Sequence, residues 1–143
     1  MSLRIIQRKH LLLLILAIIF LFAGAGCGSS KASQPQPGDW TANVAVTHGN
    51  GNTENWVVYF TVSNDGKKVP TVQLMHYTGE LRSDTKVTLV FTDGDYSIKK
   101  NSFEFSTFDS TKGKVKFTSA KEAAGTLHVG GQDYQFTAAP KQK

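Results

Sequence analysis

Residues 39–139 read as an all-β domain, an antiparallel β-sandwich of eight or nine short strands, on three observations. Apolar residues recur at period two in short runs. Gly, Asn, Asp and Pro punctuate those runs at close intervals. Beyond the first 27 residues the one rival helical patch is Ser119 to Ala124, at most a single turn. Such a pattern favours sheets packed or closed on themselves. No cysteine follows Cys27, the only one in the chain, so packing alone must hold the domain.

The strands follow in order. Trp40, Ala42, Val44 and Val46 alternate with Thr41, Asn43, Ala45 and Thr47, and His48-Gly49-Asn50-Gly51-Asn52 then turns the chain. Trp56, Val58, Phe60 and Val62 form one face of the second strand. Its other face, Val57, Tyr59 and Thr61, is also fairly apolar, as expected of a central strand. Asn64-Asp65-Gly66-Lys67 is a tight hairpin, with Gly66 supplying the positive φ. The third strand, about Lys68 to Tyr77, contains Pro70, which cannot donate to a ladder and marks an edge or bulge.

A polar loop, Thr78 to Asp84, leads to a strand that sets Val87, Leu89 and Phe91 opposite Lys86, Thr88, Val90 and Thr92. Asp93-Gly94-Asp95 reads as another hairpin turn, before Tyr96 and Ile98. Phe103 and Phe105, then Val115 and Phe117, then Leu127 and Val129, mark further strands; Gly130-Gly131 turns into Tyr134 and Phe136. Trp40, Trp56, Phe60, Phe91, Phe103, Phe105, Phe117, Tyr134 and Phe136 are the expected core aromatics. Tyr59, Tyr77, Tyr96 and Phe108 fit the interior less easily.

The N-terminus has the layout of a secretory signal. Arg4, Arg8 and Lys9 precede an apolar run from Leu11 to Phe22, shorter than the ~20 residues of a membrane span, and then Ala23-Gly24-Ala25-Gly26-Cys27. The segment Gly24-Ala25-Gly26-Cys27 resembles a lipobox, with Gly24 departing from the large aliphatic residue usual there. The resulting organisation is a lipoprotein signal peptide over 1–26, a flexible linker over 27–38 that begins with a lipidated Cys27, the β-sandwich over 39–139, and a tail over 140–143. Ordinary cleavage at Ala23-Gly24-Ala25 and an uncleaved anchor helix are the alternatives. Residues 1–26 hold three of the 16 Lys and Arg and none of the 11 acids, so the net charge falls from +5 to +2 after cleavage. That scattered excess argues against nucleic acid as a partner. The expected location is the extracytoplasmic face of the cell membrane or envelope. Gly28 rather than Asp after the cysteine gives, by analogy with two-membrane bacteria, no inner-membrane retention.

Three groups of residues carry a family resemblance. They are Gly38-Asp39-Trp40 with Val62-Ser63-Asn64-Asp65-Gly66; Ile98-Lys99-Lys100-Asn101-Ser102-Phe103; and Gly113-Lys114-Val115-Lys116-Phe117-Thr118-Ser119 with Ala123-Ala124-Gly125-Thr126-Leu127. Together they resemble β-sandwich domains of bacterial lipoproteins and secreted proteins. The resemblance implies the fold and the location and brings no catalytic residues.

Reactive chemistry finds little support in the pattern. His48, His76 and His128 lack the H-x-H and H-E-x-x-H spacings of metal sites, and no metal is expected. Asp93-Gly94-Asp95 and Asn64-Asp65-Gly66 lack the oxygen count of a calcium loop. Neither G-x-S-x-G nor a phosphate loop occurs, and Glu54, Glu80, Glu104 and Glu122 fall in turns or on polar faces. The expectation is therefore a membrane-anchored, non-catalytic binding domain with a protein or envelope partner and no cofactor beyond the lipid on Cys27. A carbohydrate-binding module is the alternative and an envelope enzyme the third reading.

Candidate contact residues are His48, Asn50, Asn52 and Glu54 in the first connection and Glu80, Arg82 and Asp84 in the third. Tyr59 and Tyr77 are added as spare aromatics. Successive reversals should place connections 48–54 and 78–85 at one end, and 64–67 and 93–95 at the other, where the linker arrives. Residues 119–124 should join the long-loop end if 99–101 is a true turn.

Overall fold

The structure, a computed structural model, describes residues 34–92 and 94–142. The signal segment, Cys27 and Asp93 lie outside the described residues. The chain forms β1 (Gly38–Thr47), β2 (Thr53–Val62), β3 (Lys68–Val69), β4 (Thr71–Thr78), β5 (Val87–Phe91), β6 (Tyr96–Ser97), β7 (Ser102–Ser106), β8 (Lys112–Ser119), β9 (Glu122–Val129) and β10 (Gln132–Pro140). Eight of these make one curled antiparallel sheet in the order β5-β4-β2-β1-β10-β9-β8-β7, and β3 and β6 pair separately.

The curl has a definite place. Strand β1 pairs with β2 along its whole length, from Gly38↔Val62 to Thr47↔Thr53. Its backbone ladder with β10 is confined to Trp40↔Pro140 and Thr41↔Ala139. The sheet therefore folds over at β1/β10 into an N-terminal half, β5-β4-β2-β1, and a C-terminal half, β10-β9-β8-β7, whose apolar faces meet. Trp40 stacks on Phe60 at 5.8 Å between ring centres and takes the edge of Phe117 at 5.2 Å. Phe60 meets Phe103 edge-on at 5.3 Å. These contacts join the two halves in the offset and edge-to-face geometries that aromatic rings prefer. Val46, Val58, Val62, Val72, Leu74, Val115 and Leu127 complete a core with almost no solvent contact. The alternation expected for β1, β2, β7 and β8 is the alternation observed.

Pro70 splits the expected third strand. It separates β3 from β4, and β4 then lies between β2 and β5 with every residue after the proline free to donate. The hairpin at Lys100-Asn101 has positive φ at both residues, 49° and 61°, as a two-residue turn matched to strand twist requires. Residues 119–122 are a tight reversal between β8 and β9 rather than a helical turn.

Several expectations fail, first at β5. Phe91, placed in the core by alternation, is 55% exposed, and Leu89 is 50% exposed. The register Leu74↔Val90 turns Val90 inward and sends Leu89 and Phe91 outside. The local pattern offers Val87, Leu89 and Phe91 as the more apolar face of β5, and pairing with β4 overrides it.

The hairpin expected at Asp93-Gly94-Asp95, whose first residue lies outside the described residues, does not fit the strands on either side. Strands β4 and β3 pair antiparallel with β5 and β6 respectively, and β3 leads directly into β4. Hence β5 and β6 run in the same direction, and the segment between them crosses from one half to the other without reversing. Nearby, Thr92 is buried and its hydroxyl donates to the Val72 carbonyl at 3.1 Å.

The missing reversal shifts the ends of the C-terminal half. The turn at 99–101 is real, yet residues 119–122 lie at the end where the chain enters, not at the long-loop end. There the Gln36 N–H donates to the Ala120 carbonyl at 2.8 Å. Residues expected in the linker also pack at this end: Pro35 is buried, and the Trp40 indole donates to the Gln36 carbonyl at 2.9 Å. The Lys141 N–H donates to the Asp39 carbonyl at 2.8 Å, so both ends of the described chain leave together.

Candidate functional site

The far end of the sandwich gathers the connections 48–52 and 79–86. The pairs Thr47↔Thr53 and Glu54↔Thr78 put their flanking residues side by side. His48, Asn50, Asn52, Glu54, Glu80, Arg82 and Asp84 thus share one end, as the alternation of reversals required. Connection 107–111 and the turn at Gly130-Gly131 lie there too. The Tyr134 hydroxyl, close to that turn, donates to the Thr47 carbonyl at 2.6 Å.

Each loop is held by its own polar residues. Asn50 Oδ1 accepts from the Asn52 N–H at 3.0 Å, and the His48 N–H donates to the Asn52 carbonyl at 2.8 Å. In the third connection the Arg82 N–H donates to Thr85 Oγ1 at 2.8 Å, and that hydroxyl donates to the Glu80 carbonyl at 2.7 Å. Arg82 also reaches the Glu80 carboxylate at 2.7 Å, an exposed pair. Asn55 Nδ2 donates to the Gly79 carbonyl at 2.8 Å and ties this loop to β2. Asp84 lines a hollow of about 400 Å³ with Glu54, His76, Tyr77, Lys86 and Thr88.

The centre of this end is a cluster that single-residue reading does not find. Glu54 Oε2 accepts from the Trp56 indole at 3.1 Å. It also lies 3.0 Å from His48 Nε2 and 3.3 Å from His76 Nδ1. The His48 nitrogen sits off the line of a hydrogen bond and is buried without a well-formed partner. Burial pushes the Glu54 carboxyl up, but His48, Trp56 and the charge of His76 together outweigh it and hold the pKa below the usual glutamate value. His76 stacks on Trp56 at 4.4 Å with the planes 10° apart. The cross-strand register Trp56↔His76 makes this pair, so nothing in either residue's own neighbourhood announces it. His128 is elsewhere, 2.6 Å from Asp133 on the C-terminal half. Among the described residues no set of three His, Cys, Asp or Glu is arranged to hold a metal ion.

Tyr59 and Tyr77 belong to the outer face of the N-terminal half, not to the loops. Tyr59 is half-buried, and burial followed by its bond to Asp39 raises its hydroxyl pKa. Asp39 is lowered by that same bond and by Thr61, which donates at 3.0 Å. The registers Tyr59↔Gln73↔Phe91, Val57↔Met75↔Leu89 and Asn55↔Tyr77↔Val87 make three rows on this face. Leu89, Phe91, Met75 and Val57 share this face and are not among the candidate contact residues. Alternation within β2 offered the only early signal, since it left Val57 and Tyr59 on a second apolar face.

No family model, curated protein or solved structure matches this chain.

Proposed function

We propose that this chain is a membrane-anchored extracytoplasmic lipoprotein whose β-sandwich binds a protein or envelope component and catalyses no reaction. One observation carries the binding role. Loops 48–54 and 78–85 converge at the end opposite to the one where the chain arrives, so an anchor on the N-terminal side leaves them facing outward. The four candidate carboxylates support a non-catalytic reading, since each engages a different part of the domain. Glu54 meets the histidines, Glu80 meets Arg82, Glu104 meets Lys114 at 2.9 Å, and Glu122 accepts from Thr118 at 3.3 Å. The anchor rests on Gly24-Ala25-Gly26-Cys27. Two acyl chains on Cys27 would bind a bilayer stably, at ~0.8 kcal/mol per buried CH₂.

Two experiments test this reading. Mass spectrometry of the processed protein should find diacylglycerol on an N-terminal Cys27; a free thiol after cleavage at Ala25 would remove the anchor. Alanine blocks over 48–54 and 78–85 should reduce capture of envelope components while the circular dichroism stays unchanged.

One observation favours a second reading, a carbohydrate-binding module. Tyr59, Tyr77 and Phe91 share an outer face with the amides of Asn55 and Gln73. Under that reading Tyr59→Ala abolishes binding on a glycan array and the loop blocks leave it intact. Leu89, Met75 and Val57 on the same face suit a protein surface better than a sugar.

A further inference from the structure

We propose that two copies of this chain join through β5, edge to edge and antiparallel, so that their sheets run on into one another. This goes beyond the binding role and does not rest on it.

Among the described residues strand β5 ends the sheet order and pairs with β4 alone. The Thr92 N–H donates to the Val72 carbonyl at 3.3 Å. Alternate residues of an antiparallel strand face the same neighbour. Val90 and Thr88 therefore turn their backbone groups to β4, while Val87, Leu89 and Phe91 turn theirs to the open edge. The residues that offer hydrogen bonds also carry the exposed side chains: Leu89 is 50% and Phe91 55% exposed, beside half-buried Met75.

Sheet edges are ordinarily blunted by charge, proline or a bulge. The opposite edge, β7, has Glu104 outward in a pair with Lys114, and its phenylalanines are buried. From Val87 to Phe91 β5 has none of these devices.

The occupant that fits is a second β5. Antiparallel pairing about Leu89 sets the two Leu89 residues opposite each other as a hydrogen-bonded pair, with Val87 opposite Phe91 on either side. The same pairing keeps the two Lys86 side chains at opposite ends of the contact. A parallel arrangement would instead bring Lys86 against Lys86. The contact is the self-complementary kind that closes a two-fold dimer.

The test uses the full chain in the membranes of cells that make it. Opposed Leu89 residues have Cα atoms ~5.5 Å apart, within the ~4.4–6.8 Å span of a disulfide. Under mild oxidation Leu89→Cys should run mostly at twice the chain mass and revert with thiol. The parent chain and Gln135→Cys, on the other half, should stay single. In detergent, light scattering should fall from two copies to one for Leu89→Lys with Phe91→Lys, with circular dichroism unchanged because both side chains are exposed. The proposal is overturned if Leu89→Cys gives no more dimer than Gln135→Cys, or if its adduct has any mass other than twice the chain, which would assign the edge to a foreign strand. A double lysine variant that keeps both the fold and the two-copy mass would overturn it equally.

Discussion

The two halves of the sandwich bury similar inner faces and present opposite outer ones. On the C-terminal half the outward rows are Glu104↔Lys114↔Thr126↔Gln135 and Ser106↔Lys112↔His128↔Asp133. These are cross-strand polar pairs, with Lys114 2.9 Å from Glu104 and Thr126 donating to Gln135 at 3.0 Å. On the N-terminal half the corresponding rows hold Val57, Met75 and Leu89, then Tyr59 and Phe91. One half is finished as a solvated surface. The other keeps large apolar side chains on its outer face, with Leu89 and Phe91 well exposed.

The comparison breaks first if the inner faces are not equivalent in kind. Phe103→Ala or Phe117→Ala should cost ~3–5 kcal/mol in urea unfolding, whereas Phe91→Ala should cost less than ~1 kcal/mol, as an exposed site does. A large loss at Phe91 would mean that this face is already covered. Next come two glycines on the inner side of the C-terminal half. A Cβ at Gly113 would run into the ring of Phe105, and one at Gly125 into the ring of Phe136. Gly113→Ala or Gly125→Ala should therefore lose ~1–3 kcal/mol by overpacking, and equal stability to the parent would show that those rings move aside freely.

On the N-terminal half, Thr92→Val removes the hydroxyl bond to Val72 and should cost ~1 kcal/mol, read as a shift in urea midpoint at constant slope. Glu54 gives a pH signature at the same half. Its folded pKa lies below its unfolded value, so its contribution is fully present above the ordinary glutamate range and disappears as pH falls through the lowered folded value. Glu54→Gln should flatten that acid limb of the stability profile; an unchanged limb would show that the histidine contacts do not stabilise the carboxylate. The smallest effect belongs to the solvated side: Lys114→Ala should change stability by less than ~0.5 kcal/mol, because both partners are well exposed.

Strands with one polar face were readable in advance. Trp40 to Val46 and Phe103 to Phe117 bury the residues that their alternation nominates, because a single apolar face leaves only one way to dock. In Val87 to Phe91 the more apolar face is the one left outside, because the inward side is chosen by pairing with β4, a relation no local pattern records. Turn-type residues between β5 and β6 predict a hairpin, yet the two strands run in the same direction, since small polar residues suit any abrupt change of path. For the site, turn composition picked out His48 to Asn52 and Glu80 to Asp84. The meeting of Glu54 and Trp56 with His76 depends on which strands become neighbours, so it emerged only with the register.

The full-length pairing of β1 with β2, against its brief contact with β10, has a mechanical consequence. Tension between the N-terminal end of β1 and a load at the far end pulls β1 along its own axis. The ladder from Gly38↔Val62 to Thr47↔Thr53 is then strained in shear, all rungs at once, while the contact at Trp40 and Thr41 adds little. Tension between the two chain termini, which leave side by side, instead peels β1 from β10 one rung at a time. Single-molecule pulling should therefore record a much higher rupture force when the far attachment is placed at Gly130, in the turn between β9 and β10, than when it is placed at Gln142; equal forces in the two geometries would mean that β1 does not carry the load.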